Sequence, residues 1–169
     1  MTAFTNAFAQ SYPQIGDPVL TDTSTTQKLP IGTVIRAKDA TYGEGSFIYL
    51  PGVASTIVGS VVTYDLGNAT TAGATTLVSG TSYVGPVAVA MSANTATTSF
   101  GWYQIQGAAV VAVTGGSAGN LVWTTSTAGK VSGTSVSNQR VQGAMISQSA
   151  ASNTCIVDLN YPFIDALTT

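Results

Sequence analysis

Seven carboxylates, Asp17, Asp22, Asp39, Glu44, Asp65, Asp158 and Asp165, are the first place to look for acid-base chemistry, because the chain has no histidine. A glycosidase would need two of them flanking a sugar, with their pKa values pushed apart by different surroundings. Asp39 and Glu44 are the closest pair, but the glycines around them in Lys38-Asp39-Ala40-Thr41-Tyr42-Gly43-Glu44-Gly45 predict a turn with both acids in water. Gly115-Gly116-Ser117-Ala118-Gly119 spells G-x-S-x-G. With no histidine to activate the serine and no helical pattern after it, the glycines predict a turn there too. Gly43-Glu44-Gly45 lacks the strand-to-helix context of a phosphate loop. No clustered D-x-D loop suggests a calcium site, so neither a metal nor a cofactor is expected. The single cysteine, Cys155, precedes Ile156 and Val157 and reads as a small core residue, since nothing nearby would lower its pKa. These readings predict a protein that is not an enzyme.

Composition points the same way. The 169 residues suffice for one domain with a substantial core. Hydrophobic residues make up 44% and charged residues 7%, against roughly 25% charged in an average soluble protein. The polar surface must therefore be built from Thr, Ser, Asn and Gln, a weakly self-repelling coat that tolerates close contact with other proteins. The five basic residues, Lys28, Arg36, Lys38, Lys130 and Arg140, are scattered, so no nucleic-acid partner is expected. No apolar run approaches the ~20 residues of a membrane-spanning helix, and no membrane partner is expected. The first residues show neither a basic n-region nor an apolar h-region, which predicts no cleaved signal peptide.

The elements that would position any site are strands. Residues 1-29 hold Pro13, Pro18 and the aromatic residues Phe4, Phe8 and Tyr12, and Pro30 follows directly. Prolines at that spacing block helix and central strand, while the aromatics need burial, so this segment reads as an extended N-terminal arm anchored by Phe4, Phe8 and Tyr12. Residues 30-169 form a β-rich body, with strand signals at 32–38, 46–50, 60–66, 75–79, 86–91, 101–106, 108–113, 120–125, 140–147 and 154–159, separated by Gly, Asn or Ser clusters. No capped helix of 3.6-residue period is visible. In 100–113, Tyr103, Ile105, Ala109, Val111 and Val113 fall on one side, and Trp102, Gln104 and Gln106 on the other. Gly107 marks a bend or bulge between them. The face of Trp102, Gln104 and Gln106 is expected to be an exposed protein contact, since Trp is enriched at interfaces.

The body contains two similar meanders, 57-106 and 115-160. Gly59-Ser60-Val61-Val62 matches Gly119-Asn120-Leu121-Val122, and Leu77-Val78-Ser79-Gly80 matches Lys130-Val131-Ser132-Gly133. Val87-Ala88-Val89 matches Ala144-Met145-Ile146, and Gly101-Trp102-Tyr103-Gln104-Ile105 matches Cys155-Ile156-Val157-Asp158-Leu159. The predicted product is an all-β fold, an antiparallel β-sandwich or barrel of jelly-roll type.

The second copy, with Gly116-Ser117-Ala118-Gly119-Asn120-Leu121-Val122-Trp123-Thr124, Ala128-Gly129-Lys130-Val131, Gln139-Arg140-Val141-Gln142-Gly143-Ala144-Met145 and Cys155-Ile156-Val157-Asp158-Leu159, resembles the small β-rich head proteins of tailed bacteriophages. Asn120 stands where an acidic residue is usual in that phrase. The resemblance covers about residues 31–160. It implies a capsid decoration or cement protein of the virion, made in the host cytoplasm, that binds the outer surface of the major capsid protein shell and stabilises it. It also implies a homo-oligomer. Two alternatives use the same β architecture: a head fibre or tail component, and a carbohydrate-binding module in which Trp102, Tyr103 and Trp123 would stack on sugar rings.

Overall fold

β-branched and aromatic residues recur here in short runs cut by glycine, a pattern that half-buried strands satisfy and helices do not. A computed structural model describes residues 8–9, 19–67, 74–80, 83–135 and 139–165. Among these residues there is no helix, and eleven strands join one antiparallel sheet. They are β1 (Phe8–Ala9), β2 (Val34–Asp39), β3 (Gly43–Pro51), β4 (Val61–Asp65), β5 (Ala74–Leu77), β6 (Gly85–Ala90), β7 (Phe100–Ala112), β8 (Leu121–Thr124), β9 (Val131–Ser132), β10 (Arg140–Ala151) and β11 (Thr154–Ile164). The strand order is β1-β2-β3-β7-β6-β11-β10-β8-β9, with β4 and β5 branching from β6. The sheet folds over on itself without closing into a barrel.

The two meanders share one pairing scheme. β4 pairs with β5 and β6, and β6 with β7; β8 pairs with β9 and β10, and β10 with β11. The correspondence reaches single hydrogen bonds. Gly59 N–H donates to Ala90 O at 2.8 Å and Ala90 N–H to Ser60 O at 2.8 Å. In the second unit Gly119 N–H donates to Ile146 O at 2.7 Å and Ile146 N–H to Asn120 O at 3.0 Å. Gly59 and Gly119 have φ of 84° and 87°, a conformation that costs glycine little and other residues more. Ala90 lies opposite Tyr103, as Ile146 lies opposite Val157.

β7 is the hinge between the units. Its first half pairs with β3 on one edge and briefly with β6 on the other, while its second half pairs with β11. The change of partner falls at Gly107, at φ 95°, where a Cβ would sit 2.4 Å from Glu44 O. The odd-numbered side chains therefore do not share one core, as their alternation suggested. Tyr103 and Ile105 pack with Ile48, Leu50, Val62, Ala88 and Ala90, whereas Ala109, Val111 and Val113 pack between the two meanders with Val61, Val89, Val122, Ile146 and Val157. β10 and β11 form a long hairpin whose turn residues Ser152 and Asn153 have φ of 51° and 65°, the positive values of a type I′ turn.

A third core lies over the other face of β3 and β7. Leu20, Ala37, Phe47, Tyr49, Met91 and Trp102 are buried together, with Leu29 and Ile35 packed at the margin. Ser24 pairs with Phe100 through reciprocal backbone bonds of 3.0 and 2.8 Å, and Lys28 N–H donates to the Tyr49 hydroxyl at 3.2 Å. Residues 19–29 thus lie against the body, with Leu20 buried in this core and Leu29 at its margin.

Candidate interaction face

Of the residues expected to make contacts, Phe4 and Tyr12 lie outside the described residues, and Phe8 is placed by its backbone in β1, opposite Lys38. The expected outward face of β7 is corrected by the structure. Trp102 is 4% exposed and Gln104 is 1% exposed. The alternation along the strand is real, but both faces of a central strand are covered here: one by the Tyr103 core, the other by Leu20, Phe47, Tyr49 and Met91. The Gln104 amide donates to Gln106 O at 3.2 Å and Ala108 O at 3.1 Å, satisfying carbonyls on either side of the Gly107 bulge. Gln106 is half-buried, and its side-chain oxygen accepts from Ser46 Oγ at 3.2 Å. Neither Trp102 nor the fully buried Tyr103 can stack on a sugar, and Trp123 is half-buried.

The carboxylates serve turns and strand edges. Asp39 accepts from the N–H groups of Thr41 at 2.7 Å and Tyr42 at 3.0 Å, closing the β2–β3 connection, and Asp65 accepts from Gly67 N–H at 2.7 Å. The G-x-S-x-G run is a turn in which Asn120 Oδ1 accepts from Ser117 N–H at 2.8 Å. Among the described residues, no group of three or more Cys, Asp or Glu could hold a metal ion. Burial pushes the Cys155 thiol up to about 11 and the Tyr103 phenol up to about 12, so both stay protonated. The Tyr103 hydroxyl donates to Pro51 O at 3.2 Å and lies 3.2 Å from the Asn94 amide.

The surface feature that asks for a partner lies elsewhere. On the outer side of β6, β11, β10 and β8, Phe163 is 44% exposed between Pro86 and Gln142, and Met145 is 46% exposed between Leu121 and Asp158. Leu121, Val84 and Tyr161 are also exposed, and Arg140, opposite Trp123, has its Nε buried without a hydrogen-bond partner. The inner side of these strands carries Val122, Val141, Ala144, Ile146, Val157, Leu159 and Ile164, all buried. A strict alternation from Val141 would have put Met145 inside. The register shift between Gln142 and Ala144, with Gly143 at φ 69°, moves Ala144, Met145 and Ile146 to the faces opposite those that strict alternation gives. The glycine was the visible signal, but the sequence does not say that it bulges.

A second, smaller apolar zone involves β2 and the end of β4. Val34 on β2 and Leu66 just after β4 are exposed, and Leu66 lies against Gly32, where a Cβ would come within 3.2 Å of its methyl groups. No family model, no curated protein and no solved structure matches this chain.

Proposed function

We propose that this chain is a structural protein that acts by contact, a decoration or cement protein of a tailed-phage capsid that binds the outer surface of the major capsid protein shell and stabilises it. The observation that carries this reading is the presence of exposed apolar side chains in two separate zones, Val34 with Leu66 and Phe163 with Met145 and Leu121. A protein that joins subunits needs at least two contact surfaces, and a coat with 7% charged residues offers little repulsion to close approach. Three packed cores around bulged strands supply stiffness. The resemblance of residues 31–160 to small phage head proteins supplies the partner and the virion setting.

Co-sedimentation tests it. Shells assembled from the capsid protein of a phage that encodes this chain should take up the purified chain to a fixed ratio and then withstand heat or chaotrope better. Val34→Asp or Leu66→Asp should weaken uptake without unfolding the chain. Shells that neither bind it nor gain resistance would refute the assignment.

A further inference from the structure

β2 lies at one end of the strand order, with only the two-residue β1 beyond it among the described residues. Tyr49 N–H donates to Thr33 O at 2.9 Å, and from that pair the antiparallel alternation turns the backbone groups of Ile35, Ala37 and Asp39 towards Phe47, Gly45 and Gly43 of β3. The N–H and C=O groups of Val34, Arg36 and Lys38 point the other way. β1 takes up the Lys38 end, where Phe8 lies opposite Lys38 and Ala9 opposite Ala37. Among the described residues nothing pairs with the backbone of Val34 or Arg36 on that side, which leaves donors and acceptors of the kind that template a further strand. The side chains of Val34, Arg36 and Lys38 share one face of β2, and all three are exposed. Opposite them on β3 stand Ile48, Ser46 and Glu44, so this face carries two cations against one carboxylate. Asp39 falls on the other face, where it accepts from the N–H groups of Thr41 and Tyr42.

We propose that this edge takes up an extended segment of a partner protein as an added β-strand, a segment with carboxylates at alternate positions. Main-chain hydrogen bonds to Val34 and Arg36 hold such a segment whatever its sequence, and the side chains beside it decide which segment binds. Carboxylates next to Arg36 and Lys38 form cross-strand pairs of opposite charge, while an apolar residue next to Val34 covers a side chain that is 51% exposed. A second copy of β2 does not fit the same edge, because it sets the cations of one copy beside those of the other, and like charges on neighbouring strands repel. A polyanion with no extended peptide backbone meets the cations but leaves the strand edge unpaired. The inference goes beyond the capsid reading and stands without it: a peptide in solution tests this one, and assembled shells test the other.

NMR titration and amide hydrogen exchange on the full-length chain test it. The probe is an end-blocked peptide of alternating Glu and Val, about seven residues long, with a Lys/Val peptide and a backbone N-methylated Glu/Val peptide as its counterparts. The Glu/Val peptide should bind with a Kd below ~1 mM and slow exchange at the amides of Val34 and Arg36. The N-methylated peptide, which keeps the charges and loses the strand donors, should not bind. Arg36→Glu should weaken the Glu/Val peptide about fivefold and strengthen the Lys/Val peptide by a similar factor, a reversal that a misfolded variant cannot produce. Four results would overturn the proposal: no binding up to ~1 mM, equal binding of the methylated peptide or of a single-stranded oligonucleotide, protection that falls elsewhere on the chain, or amides of Val34 and Arg36 already protected before peptide is added.

Discussion

Gln104 and Asp158 occupy equivalent places in the two meanders, the first opposite Val89 and the second opposite Met145, yet Gln104 is sealed in the interior and Asp158 faces water. What separates them is what lies on top: the inner face of the second unit packs on Val61 and Val89 and Leu20 packs beside Phe47 and Trp102 in the first unit, whereas among the described residues nothing covers the outer face of the second. A buried amide persists only where its hydrogen-bonding groups are satisfied, and Gln104 meets two carbonyls flanking Gly107. Gln104→Met keeps the volume and removes both bonds. It should cost about 1–3 kcal/mol, read as a lower urea midpoint at unchanged slope, while the same change at exposed Gln148 should stay within about 0.5 kcal/mol.

The bulge itself can be tested. Gly107 combines φ 95° with a Cβ position 2.4 Å from Glu44 O, whereas Gly43 at φ 75° has nothing within 4 Å. Gly43→Ala should cost about 1 kcal/mol of backbone strain. Gly107→Ala adds a clash with backbone that cannot swing away, and should lose more than about 3 kcal/mol or fail to fold. Equal melting temperatures for the two variants would contradict this account of β7.

Leu20 gives a measure of how firmly the N-terminal segment belongs to the body. It is buried beside Phe47, Tyr49 and Trp102. Leu20→Ala should therefore cost about 2–4 kcal/mol. Removing residues 1–28 uncovers Trp102 and should both lower the melting temperature and shift tryptophan emission to the red. If the shorter chain melts like the full one, the Leu20 contact is energetically idle.

Alkaline pH should destabilise the fold for a defined reason. Burial holds the Cys155 thiol at about 11 against an ordinary 9.0, and the Tyr103 phenol at about 12 against 10.0. Through those windows the unfolded chain has released protons that the folded chain still binds, so stability falls as pH rises. Denaturation measured from pH 8 upward should steepen above pH 9. Cys155→Ala should flatten the fall between 9 and about 11, and Tyr103→Phe that between 10 and about 12. At pH 8 a neutral alkylating reagent should label Cys155 only as fast as the chain opens.

Much of the fold is legible in the residues. The strand signals at 46–50, 60–66 and 140–147 fall on β3, β4 and β10, and the matching phrases around Gly59 and Gly119 fall on equivalent hydrogen bonds. The candidate face was not legible, for two reasons. Periodicity shows which residues share a side but not whether that side is covered, so the pattern holding Trp102 and Gln104 together is the same whether Leu20 folds over them or not. A bulge, moreover, inverts the sides beyond it, as at Gly143, where Met145 turns outward.

The sequence by itself determined an all-β chain with a nearly uncharged coat, two related meanders and a buried thiol, because β-branched alternation, glycine placement and charge count are local properties. Only the tertiary structure decided which meander is covered on both faces and which leaves Leu121, Met145 and Phe163 in water. Burial depends on contacts between residues far apart in the chain, Leu20 on Trp102 and Val89 against Val157, and no local window contains both partners.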